Sequence, residues 1–285
     1  MAQLADLNTQ KTYDAKVLQT ERLTPADTEE VREIQLEVQQ PDFHCEVDQS
    51  FGVLLNLTDD FGPRQHHRLY SVADVPSQAN GKQQLTMLVK RCNYVDEFSG
   101  ELQHGVASNY LCDRQAGDTI TITGPHHLPF EVPGDTTANI IMIGLGTGIA
   151  PFRSFVKHIY HNGPEWKGKI RLFYGARSGL ELLYLNDKDG DLTNYYDRDT
   201  FEAFAALSPR PAFDDPINLD KAIEERAAEI LEMLRYSNTY IYVAGYRKIK
   251  DMLNQAFAKI MGSKEKWAIR KAELVAGNKW AEIVY

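Results

Sequence analysis

Hydrophobic and polar residues alternate in short runs over the first half of the chain. Six such runs, several rich in Thr, Val or Ile and separated by turn residues, are TYDAKVLQTERL, VREIQLEVQ, GVLLNL, HRLYSVA, QQLTMLVKR and DTITITG. Period-two alternation is typical of strands that bury one face and expose the other. From Lys11 to about Asp135 the pattern therefore predicts an antiparallel β-barrel or a sandwich.

The pattern changes after Asp135. The run from Asn139 to Ile143 is continuously apolar, and Pro151 then opens a helical segment, because proline is tolerated in the first turn of a helix. Two further apolar runs, KIRLFYGAR and NTYIYVAG, alternate with the amphipathic segments NLDKAIEERAAEILEMLR and RKIKDMLNQAFAKIM. This alternation predicts a mostly parallel sheet covered on both faces, a nucleotide-binding type of fold. The run FEAFAAL fits either a helix or a short strand.

Length and charge add a domain boundary and exclude one class of function. A chain of 285 residues accommodates two medium domains, which the change of pattern places at 1–135 and 136–285. The formal net charge of -9 argues against a non-specific nucleic-acid binder, which normally presents a basic excess to phosphates. The charge is uneven, because residues 1–138 hold 10 Lys and Arg against 21 Asp and Glu, whereas residues 139–285 hold 21 against 19.

Cysteine use and the N-terminal sequence predict a cytoplasmic protein without a metal. Cys45, Cys92 and Cys112 match no metal-binding spacing, so we expect three reduced thiols. The first 25 residues lack the basic start and the apolar run of a signal peptide. No later apolar run approaches the roughly 20 residues needed to cross a bilayer, so no membrane span is expected.

A glycine-rich turn follows the apolar run at 139–143. In the segment Gly144-Leu-Gly146-Thr-Gly148-Ile-Ala-Pro151, glycines allow the backbone to approach an anion, and the following helix offers unpaired N–H groups. This predicts a cradle for a diphosphate. It is neither the Rossmann fingerprint, because Ile149 stands where a third glycine is required, nor a P-loop, because no Lys-Ser or Lys-Thr follows.

Five segments, taken in order, resemble plant-type ferredoxin–NADP reductases. They are RLYS at 68–71, LVKR at 88–91 with Tyr94 after it, GVASNYLCD at 105–113, GLGTGIAPFRSF at 144–155, and the aromatic last residue, Tyr285. The resemblance implies a flavoprotein in which an antiparallel β-barrel binds FAD and a following α/β parallel-sheet domain binds NADP(H), with NAD(H) as the alternative coenzyme.

The barrel segments also suit a flavin on chemical grounds. Arginine offers a planar fork for a diphosphate, and an aromatic residue two positions later lies on the same face of a strand. The resemblance implies that Arg68 binds the FAD pyrophosphate, that Tyr70 packs on the isoalloxazine, and that Ser71 lies near flavin N5. The FAD-binding residues that it implies are Arg68, Leu69, Tyr70, Ser71, Val89, Lys90, Tyr94, Gly105, Val106, Ala107, Ser108 and Tyr285.

Four of these residues have more specific implied roles. The resemblance implies that Tyr94 stacks on the adenine and that Tyr285 covers the flavin face where nicotinamide arrives, so that Ser71 and Tyr285 are the catalytic candidates. The resemblance implies that this tyrosine tunes coenzyme affinity, so Tyr285→Ser should tighten nicotinamide binding. Ser108 can serve either the FAD diphosphate or simply the cap of a helix.

The second half supplies the coenzyme site, and here the chain departs from the family. The implied NADP-binding residues are Gly146, Thr147, Gly148, Ala176, Arg177, Ser208, Arg210, Lys221 and Gly245. Relatives place a Ser-Arg pair and a Lys/Tyr pair near the 2′-phosphate, whereas here Pro209 separates Ser208 from Arg210 and the tyrosine is missing. NADPH is nevertheless the expected donor. Relatives also carry a cysteine where this chain has Ala244 and a glutamate where it has Ile283, with Glu282 facing the other side of the extended tail.

The sequence thus predicts an FAD-dependent ferredoxin (flavodoxin)–NADP reductase. Its partner would be ferredoxin or flavodoxin, or else an oxygenase component if the protein is the NAD(P)H-dependent reductase of an oxygenase system. The third alternative is a non-enzymatic nucleotide-sensing module on the same fold. An acidic partner needs a local basic surface on the reductase. The candidate cations for that surface are Lys90, Arg91, Lys264, Lys266, Arg270 and Lys271.

Overall fold

The computed structural model describes residues 9, 11–59, 62–96, 98–161, 163–185, 191–196, 198–213, 215–247 and 249–284. Its contacts divide the chain into two compact units. The first unit comprises residues 1–128 with 153–157, and the second comprises residues 129–152 with 158–285.

The described residues of the first unit form antiparallel strands and one short helix. Its elements are β1 (Thr12–Arg22), β2 (Val31–Val38), β3 (Gln49–Asp59), β4 (Gly62–Ser71), β5 (Ser77–Ala79), β6 (Lys82–Lys90), β7 (Asn93–Val95), β8 (Leu102–His104), α1 (Val106–Cys112) and β9 (Thr119–His127). Seven strands form one sheet in the order β4-β3-β9-β1-β2-β6-β5, and β7 and β8 form a separate hairpin.

The seven-stranded sheet curls towards closure as a barrel. Immediately after the edge strand β4, the Ala73 N–H donates to the carbonyl of Thr86 at 2.8 Å, which links this edge to β6, the strand next to the opposite edge. The alternating residues of β2 bury Ile34, Leu36 and Val38 in a core that α1 also covers. The predicted antiparallel architecture is therefore confirmed, and its apolar face lines the barrel interior.

The second unit alternates strands and helices, as the sequence predicts. Its elements are β10 (Asn139–Leu145), α2 (Ile149–His161), β11 (Ile170–Ala176), β12 (Phe201–Leu207), α3 (Leu219–Glu225), α4 (Ala227–Arg235), β13 (Thr239–Gly245), α5 (Ile249–Ile260), α6 (Lys264–Ala276) and β14 (Trp280–Val284). The sheet order is β12-β11-β10-β13-β14, and each neighbouring pair is parallel.

Both faces of the parallel sheet are buried. Every residue of β11 is buried, including Arg171, whose guanidinium donates to the Glu229 carboxylate on α4 at 2.7 and 3.0 Å. Helices α3 to α6 pack apolar side chains on one face. Phe130 and Phe152 stack with each other against the opposite face, where Phe130 also stacks on Tyr242. The predicted parallel nucleotide-binding fold is confirmed.

The structure decides one open alternative and differs from the sequence pattern at one place. FEAFAAL, which fits a helix or a strand, is strand β12. The segment NLDKAIEERAAEILEMLR, predicted as one helix, is interrupted at Arg226, which has φ -105° and ψ 19° and serves as the cap between α3 and α4. The Arg226 guanidinium lies 4.5 Å from the ring centroid of Phe204, so this contact accompanies the break.

Membrane-spanning helices and metal-binding clusters are both absent from the described residues. No described helix is long and apolar enough to cross a membrane. Within the same described parts of the chain, no group of three or more His, Cys, Asp or Glu side chains is arranged to hold a metal ion.

Candidate functional site

Strand β4 presents the RLYS segment along one edge of the first unit's sheet. Arg68 is exposed, and one of its N–H groups donates to the carbonyl of His67 at 2.9 Å. Among the described residues, no carboxylate lies within 4.0 Å of the Arg68 guanidinium. Its charged fork is thus available to an anionic ligand, which is the role that the resemblance implies for it.

Tyr70 and Leu69 provide the surface beside that arginine. Tyr70 lies opposite Phe51 in the β3–β4 register and packs against the barrel core. Burial raises the pKa of the Tyr70 phenol well above its ordinary value, so the phenol stays neutral. Leu69 is 39% exposed, and Ser71 is half-buried opposite Ser50. A flat neutral ring next to exposed apolar surface fits an aromatic ring system.

Helix α1 is tied to the loop before it through its first turn. A Cβ on Gly105 would lie 2.8 Å from Ser108 Oγ and 3.0 Å from the Cys92 carbonyl oxygen, so this close approach requires glycine. The Ser108 hydroxyl accepts from the Cys92 N–H at 3.1 Å and donates to the Gly105 carbonyl at 3.2 Å. Ser108 therefore fixes α1 against the residues after β6, and Gly105 is the N-cap residue.

Near α1, the remaining predicted flavin residues differ in their surroundings. Val89 is buried in the barrel core with Ala107, while Lys90 forms an ion pair with Glu29. Tyr94 is 58% exposed on the hairpin, so its ring offers a face for stacking. Arg68 is consequently the cation in this set that reaches no carboxylate within the described ranges.

Two histidines pack behind Arg68 on the first unit's sheet. His67 Nε2 lies 2.8 Å from Thr123 Oγ1, and His126 Nε2 lies 3.0 Å from the same oxygen. A Cβ on Gly52 would lie 1.9 Å from His67 Nε2, so glycine makes room for this ring. Burial lowers the pKa of both histidines, and for His67 the neighbouring His126 and Arg68 lower it further.

This histidine pair predicts acid sensitivity. Since both folded pKa values lie below the unfolded value of about 6.5, their contribution to stability is complete above that pH and is lost as the pH falls through the folded values. We expect the thermal unfolding temperature to fall between pH 7 and pH 5.5, and to fall less in His126→Gln. The exposed His44 provides the control His44→Gln. Equal slopes in the wild type and His126→Gln would contradict this assignment.

The glycine turn of the second unit follows β10 and runs directly into α2. Gly146 has a positive φ of 58°, and the Tyr174 hydroxyl donates to its carbonyl at 3.1 Å. A Cβ on Gly148 would lie 2.2 Å from the carbonyl oxygen of Ala244 on β13. The turn thus packs on β13 more closely than any side chain allows, and Thr147 lies between the two glycines at the start of the helical segment. This cradle fits the diphosphate of a nucleotide.

The two departures from the family pattern are neighbours in the sheet. Ala244 on β13 is the register partner of Ile283 on β14. Both groups are apolar, and Gly245 follows with φ 148°. Glu282 points to the helices, where Lys250 on α5 pairs with it, and Nε1 of Trp280 on the same strand donates to it at 2.7 Å. Although burial acts in the opposite direction, these contacts hold the pKa of Glu282 below its usual value.

The residues predicted for the 2′-phosphate lie at the carboxyl ends of β11 and β12. Ala176 ends β11, and the Arg177 guanidinium donates to the Pro211 carbonyl at 2.9 and 3.2 Å. Ser208 and Arg210 both bond to Asp215, while Lys221 is exposed on α3. The structure thus brings Ser208 and Arg210 together around Asp215, which was not among the predicted site residues. Ser208 donates to the Asp215 backbone carbonyl, and Arg210 pairs with its carboxylate.

Comparison with known proteins decides the family. Residues 142–255 match the oxidoreductase NAD-binding domain. Over 242 residues the chain is 30% identical to leaf isozyme 1 of the chloroplastic ferredoxin–NADP reductase of Oryza sativa subsp. indica. The matched region covers 83% of this chain and 67% of that protein. The chain belongs to the ferredoxin–NADP reductase family.

Two other ferredoxin–NADP reductases are also similar to this chain. The cyanelle ferredoxin–NADP reductase of Cyanophora paradoxa is 33% identical over 216 residues, covering 74% of this chain and 59% of that protein. The chain thus spans about three fifths to two thirds of the length of these two relatives. The solved ferredoxin-NADP+ reductase of Plasmodium falciparum has a TM-score of 0.70 at 19% identity and 98% coverage of both chains, which shows a shared fold.

Membership of the ferredoxin–NADP reductase family confirms the predicted class, an NAD(P)H-dependent flavoprotein oxidoreductase that uses FAD and NADP(H). The alternatives of an oxygenase reductase and a non-enzymatic module are not favoured, because the named relatives are ferredoxin–NADP reductases. The roles predicted for individual residues stay predictions. Tyr285 lies outside the described residues.

The cations predicted for partner docking are largely paired in the structure. Arg91 contacts Glu30 at 2.7 Å and Asp113 at 2.8 Å. On α6, Arg270 pairs with Glu273 at 2.8 Å, and Lys271 lies 3.6 Å from Glu282. Lys264 and Lys266 form no ion pair within the described part of the chain. A basic docking surface for this family member would therefore centre on the start of α6.

Proposed function

We propose that this protein transfers a hydride between NADP(H) and FAD and exchanges single electrons with ferredoxin or flavodoxin. The observation that supports the proposal most is the exposed Arg68 guanidinium, which meets no described carboxylate and lies on the same strand face as Tyr70. An arginine fork without an acidic partner beside a neutral ring fits a ligand that has both a diphosphate and an aromatic system.

Within the first unit, each predicted residue has a distinct task in binding FAD. Arg68 would bind the pyrophosphate, and Tyr70 would hold the isoalloxazine against its ring. Tyr94 would cover the adenine. Gly105 brings α1 close to the chain after β6, and Val106, Ala107 and Ser108 follow in the first turn of that helix. When bound, FAD supplies the conversion between two-electron and one-electron transfer.

Within the second unit, the backbone does most of the binding. The turn Gly146-Thr147-Gly148 would hold the coenzyme diphosphate through N–H groups at the start of α2. Ala244 and Ile283 place apolar groups where relatives carry a thiol and a carboxylate. Because hydride transfer needs the orientation of two rings more than a proton donor, activity should persist with altered coenzyme binding. Ser71 is the proposed residue that orients the reacting rings.

The proposal also includes the domain bounds, the cellular location and the docking surface. The FAD domain would be 1–135 and the NADP(H) domain 136–285. The location would be cytoplasmic, whereas the name of the rice relative places that protein in the chloroplast. Docking of an acidic electron carrier would use Lys264 and Lys266 at the start of α6.

Steady-state kinetics test the electron acceptor. With NADPH as donor, reduction of cytochrome c should depend on added ferredoxin or flavodoxin, and the rate should fall as ionic strength rises because docking is electrostatic. The charge-reversal variant Lys264→Glu/Lys266→Glu should slow this rate and leave ferricyanide reduction unchanged. Turnover of ferricyanide without any response to either carrier would contradict the proposed partners.

A further inference from the structure

The adenosine end of the coenzyme site contains an internal ion pair. The Arg210 guanidinium makes a fork with the Asp215 carboxylate, with Nε 2.7 Å from Oδ2 and Nη2 3.2 Å from Oδ1. Two roughly parallel N–H···O contacts are the geometry in which arginine also binds phosphate. The carboxylate therefore occupies the donors that a phosphate would use.

The position of Asp215 is fixed by its own loop. The buried Ser208 hydroxyl donates to the Asp215 carbonyl oxygen at 2.7 Å, and Pro216 follows with its restricted backbone. Arg177 holds the other side of the same loop through the Pro211 carbonyl. Ser208, Arg177 and Arg210 thus all hold Pro211 or Asp215 of this loop in place.

This loop lies on the edge of the sheet where nucleotides bind. In parallel α/β sheets, ligands bind beyond the carboxyl ends of the strands. The diphosphate turn ends β10, and the Arg210 loop follows β12, two strands away and so about 10 Å along the edge. The Arg210 side chain is 67% exposed, so a ligand extending along this edge can reach the guanidinium.

We propose that Asp215 is a specificity-determining residue that occupies Arg210 in place of the coenzyme 2′-phosphate and so weakens the preference for NADP(H) over NAD(H). The inference rests on the proposed function, since it concerns the coenzyme of that same site. A 2′-phosphate carries close to two negative charges at neutral pH, and it must displace the Asp215 carboxylate and then lie beside it. NAD(H) has no such group and meets neither cost.

Removal of the Asp215 carboxylate should therefore strengthen the preference for a nucleotide that carries the 2′-phosphate. In Asp215→Asn the side chain keeps nearly the same shape, Arg210 loses its acidic partner, and the repulsion of the incoming phosphate disappears. We expect about a tenfold gain in affinity for 2′-phospho-AMP, the nucleotide in a solved complex of the P. falciparum relative, and no change for 5′-AMP. Arg210→Gln should cancel the gain when it is combined with Asp215→Asn.

Isothermal calorimetry on the flavin-loaded protein, with 2′-phospho-AMP and 5′-AMP as probes, tests the proposal without any turnover. Asp251→Asn, an exposed charge-matched change on α5, is the control for net charge and should leave both affinities unaltered. Binding of 5′-AMP to Asp215→Asn verifies that the variant is folded.

Three results would overturn the inference. Unchanged 2′-phospho-AMP affinity in Asp215→Asn would mean that the pair is irrelevant to the coenzyme. Reduced affinity would mean that Asp215 instead holds Arg210 in position for the phosphate. Failure of both nucleotides, and of NADPH and NADH, to bind the wild type and the variant alike would contradict the proposed function itself.

Discussion

Gly148→Ala should lower the affinity for NADP(H) by at least tenfold. The added Cβ would lie 2.2 Å from the Ala244 carbonyl oxygen and 2.6 Å from its carbon, which are backbone atoms of a buried central strand. Such atoms cannot rotate away as a flexible side chain would, so the turn must move off β13 by roughly 1 Å. Displacement of this size disturbs N–H groups that must converge on one diphosphate, and overpacking also costs about 1–3 kcal/mol of stability.

Calorimetric titration with NADP+ measures this loss, and thermal unfolding measures the accompanying destabilisation. Gly134→Ala is the matched control, because a Cβ on Gly134 has no neighbour within 4 Å in the described structure and its φ is not positive. Gly134→Ala should bind NADP+ as the wild type does. If Gly148→Ala also behaved as the wild type, the turn could not pack on β13 as described.

Arg68→Ala should produce a protein that loses FAD during purification. A charge-assisted forked contact is worth about 1.5–3 kcal/mol, so the dissociation constant for FAD should rise roughly 10- to 100-fold. The side chain is exposed and donates to the carbonyl of the adjacent His67, so the barrel should remain folded without it.

The ratio of flavin to protein absorbance reports retention of FAD, and titration of the apoprotein with FAD gives the dissociation constant. Arg64 lies four residues away on the same face of β4 and is also exposed. Arg64→Ala therefore tests whether the loss of any positive charge on this strand weakens FAD binding. We expect Arg64→Ala to retain FAD. Equal retention by both variants would show that Arg68 has no specific role in holding the flavin.

The fold was largely readable from the pattern of apolar residues. Period-two alternation in β2 and uninterrupted burial in β10 and β11 are direct consequences of one-sided and two-sided packing, respectively. The break at Arg226 was not predictable, because the sequence around it keeps a continuous helical periodicity and the competing contact comes from Phe204 on another strand.

The candidate site could be predicted from the sequence only at positions where a residue type has one common role. Glycines at 146 and 148 before a helix indicate a backbone cradle whatever surrounds them. A cation gives no such signal, because its role depends on which acid it meets after folding. Arg91 meets Glu30, 61 residues away, and Arg210 meets Asp215 through a loop whose path the sequence does not specify. Arg68 and Arg91 look alike in sequence, yet within the described residues the structure neutralises Arg91 alone.

The histidine pair illustrates the same limit. The pKa of His67 is lowered by burial and by the approach of His126 from β9, and neither feature can be inferred from the local sequence QHHRLYS. Gly52 makes room for His67, and no local pattern around Gly52 reveals this, because the two residues are brought together only by strand pairing.

An anaerobic titration of the purified protein, followed by visible absorption, tests whether it is an NADPH-reducible flavoprotein. We expect a yellow protein whose flavin bands are bleached by about one equivalent of NADPH and restored by oxidised ferredoxin or flavodoxin. A colourless protein that takes up no FAD, or flavin bands that neither NADPH nor NADH alters, would contradict it.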